Sequence, residues 1–354
     1  MKKKRKVEMG QQSSVLSKTL HECLSYLFKQ QVRFIIYSYP LESEVHVFVD
    51  QPSQALKSYV LNTFNTLNSE VLKGQVFSLE NWETIKDFQL NPSILKQEEL
   101  REKNYMVQHE YESYVRSVQK EIQSGNIVKC VAARKKKVPL PKNFVLAEAF
   151  AKTLMNHESA YCYLAHSNSG TWMGASPELL VHNEGKKSYT VALAGTKLVE
   201  DNSPWKAKEQ HEQALVRDYI IDTLNEQQVK NIQSSAVQEV QASHIKHLKT
   251  VIEFDSLQGV EGYLHPTPAV CGLPVSAAKS IISRFEKDGR SLYSGYLGIT
   301  GEVSKLYVNL RCMQIYDKYA DLYVGAGITM DSDPLKEWQE TEAKADVMKN
   351  ILEE

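Results

Sequence analysis

No apolar run in this sequence approaches the roughly 18 residues that a transmembrane helix needs, so a membrane span is not expected. Cysteine is sparse and unpatterned: Cys23, Cys130, Cys162, Cys271 and Cys312 are odd in number and form no C-x-x-C pair. That excludes a regular disulfide framework, argues against a thiolate metal site, and points to a reduced, cytoplasmic setting. A basic excess is also lacking. The 42 Lys and Arg are balanced by 43 Asp and Glu, for a net charge of −1, so nucleic acid is not the expected partner. Nor is there a P-loop, a nucleophile elbow, an H-E-x-x-H, a G-x-G-x-x-G, an internal repeat or a low-complexity tract. Function therefore has to be read from scattered residues.

What is present is an ordinary globular composition, 42% hydrophobic and 24% charged over 354 residues, enough for a sizeable core in one large or two smaller domains. The first eight residues, "MKKKRKVE", stand apart as a disordered basic tail or an added tag. Residues 9–104 read as a variable α/β region within the same fold, with a helix at "SVLSKTLHECLSYLFKQ" and strands at "VRFIIYSYP" and "EVHVFVD". A boundary falls just before an amphipathic helix with Tyr111, Val115, Val118 and Ile122 at helical spacing. In residues 105–354, strands such as "NIVKCVAARKKKV", "AYCYLAHS", "SYTVALAGT", "KLYVNLRCMQIY" and "ADLYVGAGI" cluster with helices interrupting them. That pattern predicts an α+β fold with large, mostly antiparallel sheets.

Two helices each carry glutamates three residues apart: Glu209 and Glu212 in "SPWKAKEQHEQALVRD", Glu337 and Glu340 in "PLKEWQETEAK". Each helix is expected to open with a polar cap and a proline, Ser203-Pro204 and Asp333-Pro334. Spacing of three puts each pair on one face, so two such helices can hold a hard divalent cation between them. Read alone, each is a solvated helix face, with Glu340 and Lys344 an i,i+4 ion pair.

Other candidates are equally weak singly. Lys129 sits between Val128 and Cys130, where desolvation would favour the neutral amine a general base needs. Glu178 enters an apolar strand in "GASPELL", a costly place without a partner. Arg311 ends the strand "LYVNLR" and offers a planar fork to a carboxylate. The "VGAG" stretch, Gly325-Ala326-Gly327, reads as a turn presenting backbone N–H groups to an anion. "HPTPAVCG" is a stiff loop around His265. Together they describe a site for a small anionic molecule held by a divalent metal and worked on by an acid and a base.

From about Tyr105 onward the ordered set "KCVAAR", "GASPELL", "ALAGT", "KEQHEQALVRD", "HPTPAVCG", "YSGYLG", "LRC", "VGAGI" and "EWQETEAK" resembles the chorismate-utilising enzymes, the group of isochorismate, salicylate, anthranilate and aminodeoxychorismate synthases. The resemblance implies two large antiparallel β-sheets packed as a sandwich with helices outside and the active site in a cleft. It implies a Mg²⁺ site with Glu212 and Glu340 as direct ligands, and Glu209 and Glu337 acting through water. It also implies chorismate as the small-molecule partner, contacted by Thr196, His265, Tyr293, Arg311, Lys344 and the backbone of Gly325, Ala326 and Gly327. Within the group, Ala194 stands where aminodeoxychorismate synthases typically carry a nucleophilic lysine. Lys129 is similar to the water-activating base that anthranilate synthases usually lack, and "HPTPAVCG" resembles the isochorismate-forming branch more than the salicylate-forming one. The expected activity is conversion of chorismate to isochorismate, Lys129 as base and Glu178 as acid, in menaquinone or siderophore biosynthesis. Salicylate synthesis and a non-catalytic chorismate-binding subunit are the alternatives. A monomer is compatible with all of this.

Overall fold

The computed structural model describes residues 2–52, 55–67, 69–93, 105–242 and 245–353, with side chains from residue 14 onward except those of 196, 198, 242 and 245. Seven α-helices are described: α1 (Lys2–Lys29), α2 (Gln108–Gln123), α3 (Leu146–Asn156), α4 (Ala207–Glu226), α5 (Val260–Leu264), α6 (Val275–Phe285) and α7 (Pro334–Leu352). The first strands are β1 (Phe34–Ser38), β2 (His46–Asp50), β3 (Lys57–Asn62) and β4 (Glu70–Ser78). Between α2 and α4 run β5 (Lys129–Pro139), β6 (Tyr161–Ser167), β7 (Gly170–Ser176), β8 (Leu179–Glu184) and β9 (Lys187–Leu198). After α4 come β10 (Gln233–Ser234), β11 (Gln238–Ala242), β12 (Ile245–Asp255) and β13 (Gly272–Leu273). The last four are β14 (Tyr296–Thr300), β15 (Val303–Val308), β16 (Cys312–Ile315) and β17 (Tyr319–Ile328).

Every strand pairing is antiparallel, and the expected two sheets are the two halves of one hydrogen-bonded ribbon. One half runs β13-β5-β17-β16-β7-β6-β1-β2, the other β3-β14-β15-β8-β9-β12. Strand β4 belongs to both, pairing with β2 over its second part and β3 over its first, and Gly74 is opposite both Asp50 and Lys57. A Cβ on Gly74 would stand 1.8 Å from the Val49 carbonyl oxygen, so only glycine lets the two halves meet there. Because β1 pairs with β6 and β3 with β14, the N-terminal strands are built into the ribbon.

The halves close on an aromatic layer. Tyr161 stacks on Tyr307 with ring centroids 4.3 Å apart, and the Tyr59 and Tyr161 hydroxyls share a 2.6 Å hydrogen bond, satisfying polar tips that burial would otherwise leave costly. Helices α1, α3 and α7 cover the outer face of the first half, and α4 and α5 that of the second. Helix α1 begins at Lys2, so the backbone expected as a disordered tail continues the first helix; none of residues 2–8 is a helix breaker. Met1 and residues 94–104, which adjoin the expected boundary at 104/105, lie outside the described residues. No helix among the described residues is long and apolar enough to cross a membrane, and all five cysteines are free and buried.

Candidate active site

A cavity of about 200 Å³ opens where β5, β9, β12 and β17 meet the starts of α4 and α7. Lys129, Glu178, Glu209, Glu212, Arg311, Gly327, Glu337, Glu340 and Lys344 all line it, so most of the residues singled out in sequence come together. Lys129, the first residue of β5, is 4% exposed. It reaches across the neighbouring strand over Gly327, where a Cβ would sit 2.9 Å from Lys129 Cε and 3.3 Å from Nζ. The glycine leaves room for the lysine stem.

Glu178 precedes β8 and is 5% exposed. Burial pushes its carboxyl up to about 7, with Arg311 and Lys129 pulling the other way. Arg311 was expected at a strand end, but β15 stops at Val308 and Arg311 forms the turn into β16 at φ +47°. That left-handed backbone costs a non-glycine residue on the order of 1–3 kcal/mol and aims the guanidinium into the cavity. Burial lowers its pKa, partly offset by Tyr293, Glu340 and Glu178.

Gly325-Ala326-Gly327 is not the turn expected from "VGAG": all three lie inside β17, opposite Ala133, Ala132 and Val131 of β5. The physical reason is that β5 pairs with β17 along its whole length and keeps the stretch extended; β16 pairs with β17 only as far as Tyr323, so beyond it no described strand covers the other edge. Lys344 Nζ donates to the Gly325 carbonyl on that edge at 2.9 Å. A strand residue's N–H and C=O point the same way, so the edge still offers backbone N–H groups to an anion.

Helix α7 starts as expected, with the Asp333 side chain accepting from the Lys336 N–H. Its core stripe is Thr341, Ala345, Met348 and Leu352, and Glu337, 5% exposed, continues that stripe into the cavity. Burial, then Glu340, raises the Glu337 pKa. Burial also works against ionisation of Glu340, but Lys344, at 2.5 Å, outweighs it with help from Lys208 and Arg311 and holds its pKa low.

Helix α4 differs from expectation at its start. It opens at Ala207 with Lys206 at the cap, not at Ser203-Pro204. The preceding segment is instead pinned to the sheet: Trp205 Nε1 donates to Glu239 at 2.9 Å, and Lys197 lies over the Trp205 ring and donates to the Ser203 carbonyl. Gln213 then anchors α4 to Thr250 at 2.8 Å. Gly195, at φ +70°, lets β9 bulge against α4: a Cβ there would lie 3.1 Å from Glu209 Cβ. The register of β9 against β12 shifts at this point.

Two expected contacts do not line the cavity, and a third is described only by its backbone. Tyr293 is buried behind the cavity wall, its hydroxyl 3.0 Å from where a Gly325 Cβ would be. His265 is buried with Nε2 donating to the Ser294 carbonyl at 2.8 Å, its pKa lowered to about 4 by burial; Ala269 represents that loop in the cavity. Thr196 lies on β9 opposite His247, and its side chain is outside the described set. Two polar lining residues were missed, Lys208 and His247. Lys208 Nζ is 4.0 Å from Glu337, and the E-x-x-E reading already bordered it. His247 Nδ1 donates to the Gly195 carbonyl at 2.9 Å, a contact visible only once β12 is known to pair with the "ALAGT" strand.

The four helix glutamates offer hard oxygen donors from opposite sides of one cavity, the donor type that Mg²⁺ takes. Glu209 Oε2 is buried without a hydrogen-bond partner among the described residues, an acceptor that a cation or its water would satisfy. Among the described residues no three potential ligands are drawn together as a preformed cluster. An ion that keeps several waters does not need one, so the residues fit Mg²⁺.

Comparison with known proteins is consistent with this geometry. Residues 51–353 match the family described as Chorismate binding enzyme. The chain is 29% identical over 203 residues to isochorismate synthase EntC of Escherichia coli K12, covering 52% of each protein. It is 31% identical over 274 residues to isochorismate synthase MenF of Pasteurella multocida, 70% of this chain and 62% of that one. The matched segments thus span about half the length of EntC and less than two thirds of MenF. Among solved structures, MenF, the menaquinone-specific isochorismate synthase of E. coli, superposes with a TM-score of 0.75 at 24% identity over 92% of this chain and 89% of that chain. A putative 2,3-dihydroxybenzoate-specific isochorismate synthase, DhbC of Bacillus anthracis, gives 0.75 at 20% over 95% and 99%. These structural likenesses show the fold.

Proposed function

The chain belongs to the chorismate binding enzymes, and on that premise we propose that it is a Mg²⁺-dependent isochorismate synthase, an isomerase acting on chorismate. The observation that carries this reading is the burial of Lys129 and Glu178 in the wall of one cavity. A reaction that swaps one hydroxyl for another needs one group to take a proton and one to give it. Lys129 takes a proton from water, whose oxygen bonds to ring C2. The double bonds shift, the C4–O bond breaks, and Glu178 protonates the departing hydroxide. Atoms balance: one water enters and one leaves. A carboxyl held near 7 by burial keeps its proton at neutral pH, which a general acid requires.

Arg311, Lys344 and the open edge of β17 bind the substrate carboxylates and fix the ring. Glu212 and Glu340 would hold Mg²⁺ directly, with Glu209 and Glu337 through water, and the ion would supply fixed positive charge for a substrate carboxylate. Alanine at 194 leaves no nucleophilic lysine at that point of the wall, which favours water addition over a covalent route.

The deciding experiment incubates the protein with chorismate and Mg²⁺, separates the products by chromatography and couples pyruvate to lactate dehydrogenase. A reversible chorismate–isochorismate mixture without pyruvate is expected, since the enolpyruvyl ether stays intact. Stoichiometric pyruvate with fluorescent salicylate would replace this reading with salicylate synthesis, and no turnover would leave a chorismate-binding subunit. For the metal, Glu212→Ala and Glu340→Ala are each expected to lose activity and to weaken Mg²⁺ dependence. Wild-type activity that survives a chelator would remove the metal assignment.

A further inference from the structure

Strand β5 carries a second buried cation that the chemistry above does not use. Lys129, Val131 and Ala133 face the cavity side of the strand. Cys130, Ala132 and Arg134 alternate to the other face, under α2 and α7. The Arg134 side chain is 2% exposed and directs two of its three nitrogens at α7. Its Nε donates to Thr341 Oγ1 at 2.9 Å, a terminal nitrogen pairs with Glu342, and the guanidinium lies 3.7 Å from the centroid of the Trp338 ring. Thr341 Oγ1 in turn donates a hydrogen bond to the Trp338 carbonyl at 2.7 Å. A planar group that stacks on one residue of a helix while hydrogen-bonding two others resists both rotation and sliding of that helix. The residues it grips, 338, 341 and 342, interleave with Glu337, Glu340 and Lys344, which face the cavity. A helix places successive residues 100° apart, so a small turn of α7 would carry all three cavity residues with it.

We infer that Arg134 is a positioning residue: it locks the rotation of α7 and thereby sets how Glu337, Glu340 and Lys344 are presented to the metal and the substrate carboxylate. It touches neither. The general base, on the same strand but the opposite face, and Glu178, on another element, are outside its grip. Arg134 therefore governs binding and leaves the chemical step alone. The inference rests on the metal-dependent reading given above.

The test uses Arg134→Lys, Arg134→Met and the milder Thr341→Val in the full chain. Mn²⁺ binding, in the absence of chorismate, is followed by calorimetry; KM and kcat for chorismate and thermal unfolding are measured alongside. Loss of a group that orients metal ligands commonly costs 10–100-fold in metal affinity, so both Arg134 variants are expected to raise the Mn²⁺ Kd and the chorismate KM by about tenfold or more. Thr341→Val, which removes one of the two hydrogen-bond acceptors, should raise them by less, and kcat should stay within about twofold in all. Lysine keeps the charge without the fork, so Arg134→Lys matching Arg134→Met identifies the fork as the active feature. A folded Arg134 variant with wild-type Mn²⁺ Kd and KM, changed only in melting temperature, would overturn the inference, and if both Arg134 variants fail to fold, Thr341→Val with wild-type values does the same. Wild-type protein that binds no Mn²⁺ overturns the metal-dependent reading as well, which separates the two failures.

Discussion

Lys129→Ala is expected to lower kcat for chorismate by about 10²–10⁴-fold, the range a positioned general base supplies, with KM little changed. The argument is geometric. Lys129 is buried at the start of β5 and its amine lies over Gly327, while the carboxylate-binding groups proposed above are Arg311, Lys344 and the β17 edge. Removing the lysine takes away the acceptor for the water proton without removing an anchor, so the loss should fall on turnover. Steady-state kinetics on the variant, with calorimetric chorismate binding, checks this. Near-normal kcat would end the assignment of Lys129 as base, and a KM rise with kcat intact would make it a binding residue.

Glu178→Gln is expected to cause a comparable fall of about 10²–10⁴-fold, because an amide cannot protonate a leaving hydroxide. In the wild type, kcat should fall as pH rises through about 7, the value to which burial pushes the carboxyl, and the variant should lose that limb. Stability offers a second readout. With a native pKa raised from 4.5 to about 7, Glu178 binds its proton more tightly folded than unfolded. Its contribution is complete below pH 4.5, shrinks as pH rises, and is gone above 7, a difference of ~3 kcal/mol. Glutamine has no charge to bury, so the variant should gain stability relative to wild type as pH rises from 4.5 to 7. Unfolding curves at pH 5 and pH 8 measure this. Parallel curves would show that Glu178 is not desolvated as the structure has it.

The sequence by itself determined the element types and the chemistry to look for. Alternation and β-branched content marked the long strands, helical spacing marked α2, and the Asp333-Pro334 signal marked the start of α7 because cap and first turn are local interactions. Equal spacing within "EQHE" and "EWQE" put each glutamate pair on one face for the same reason. Resemblance to a family then joined residues that no local rule connects.

Tertiary structure decided the rest. The helix expected from Ser203-Pro204 starts later because Glu239 and Lys197, distant in sequence, capture Trp205. "VGAG" is strand, not turn, because β5 supplies a partner along its length, and its other edge faces the cavity unpaired by any described strand because β16 ends early. His247 enters the cavity wall through the β9–β12 pairing around the Gly195 bulge, and Arg134 reaches α7 from more than 200 residues away. Local sequence fixes backbone preference and the facing of nearby side chains. Which open edge, orphaned carboxylate or buried arginine meets which partner depends on long-range packing, and that is where this site is made.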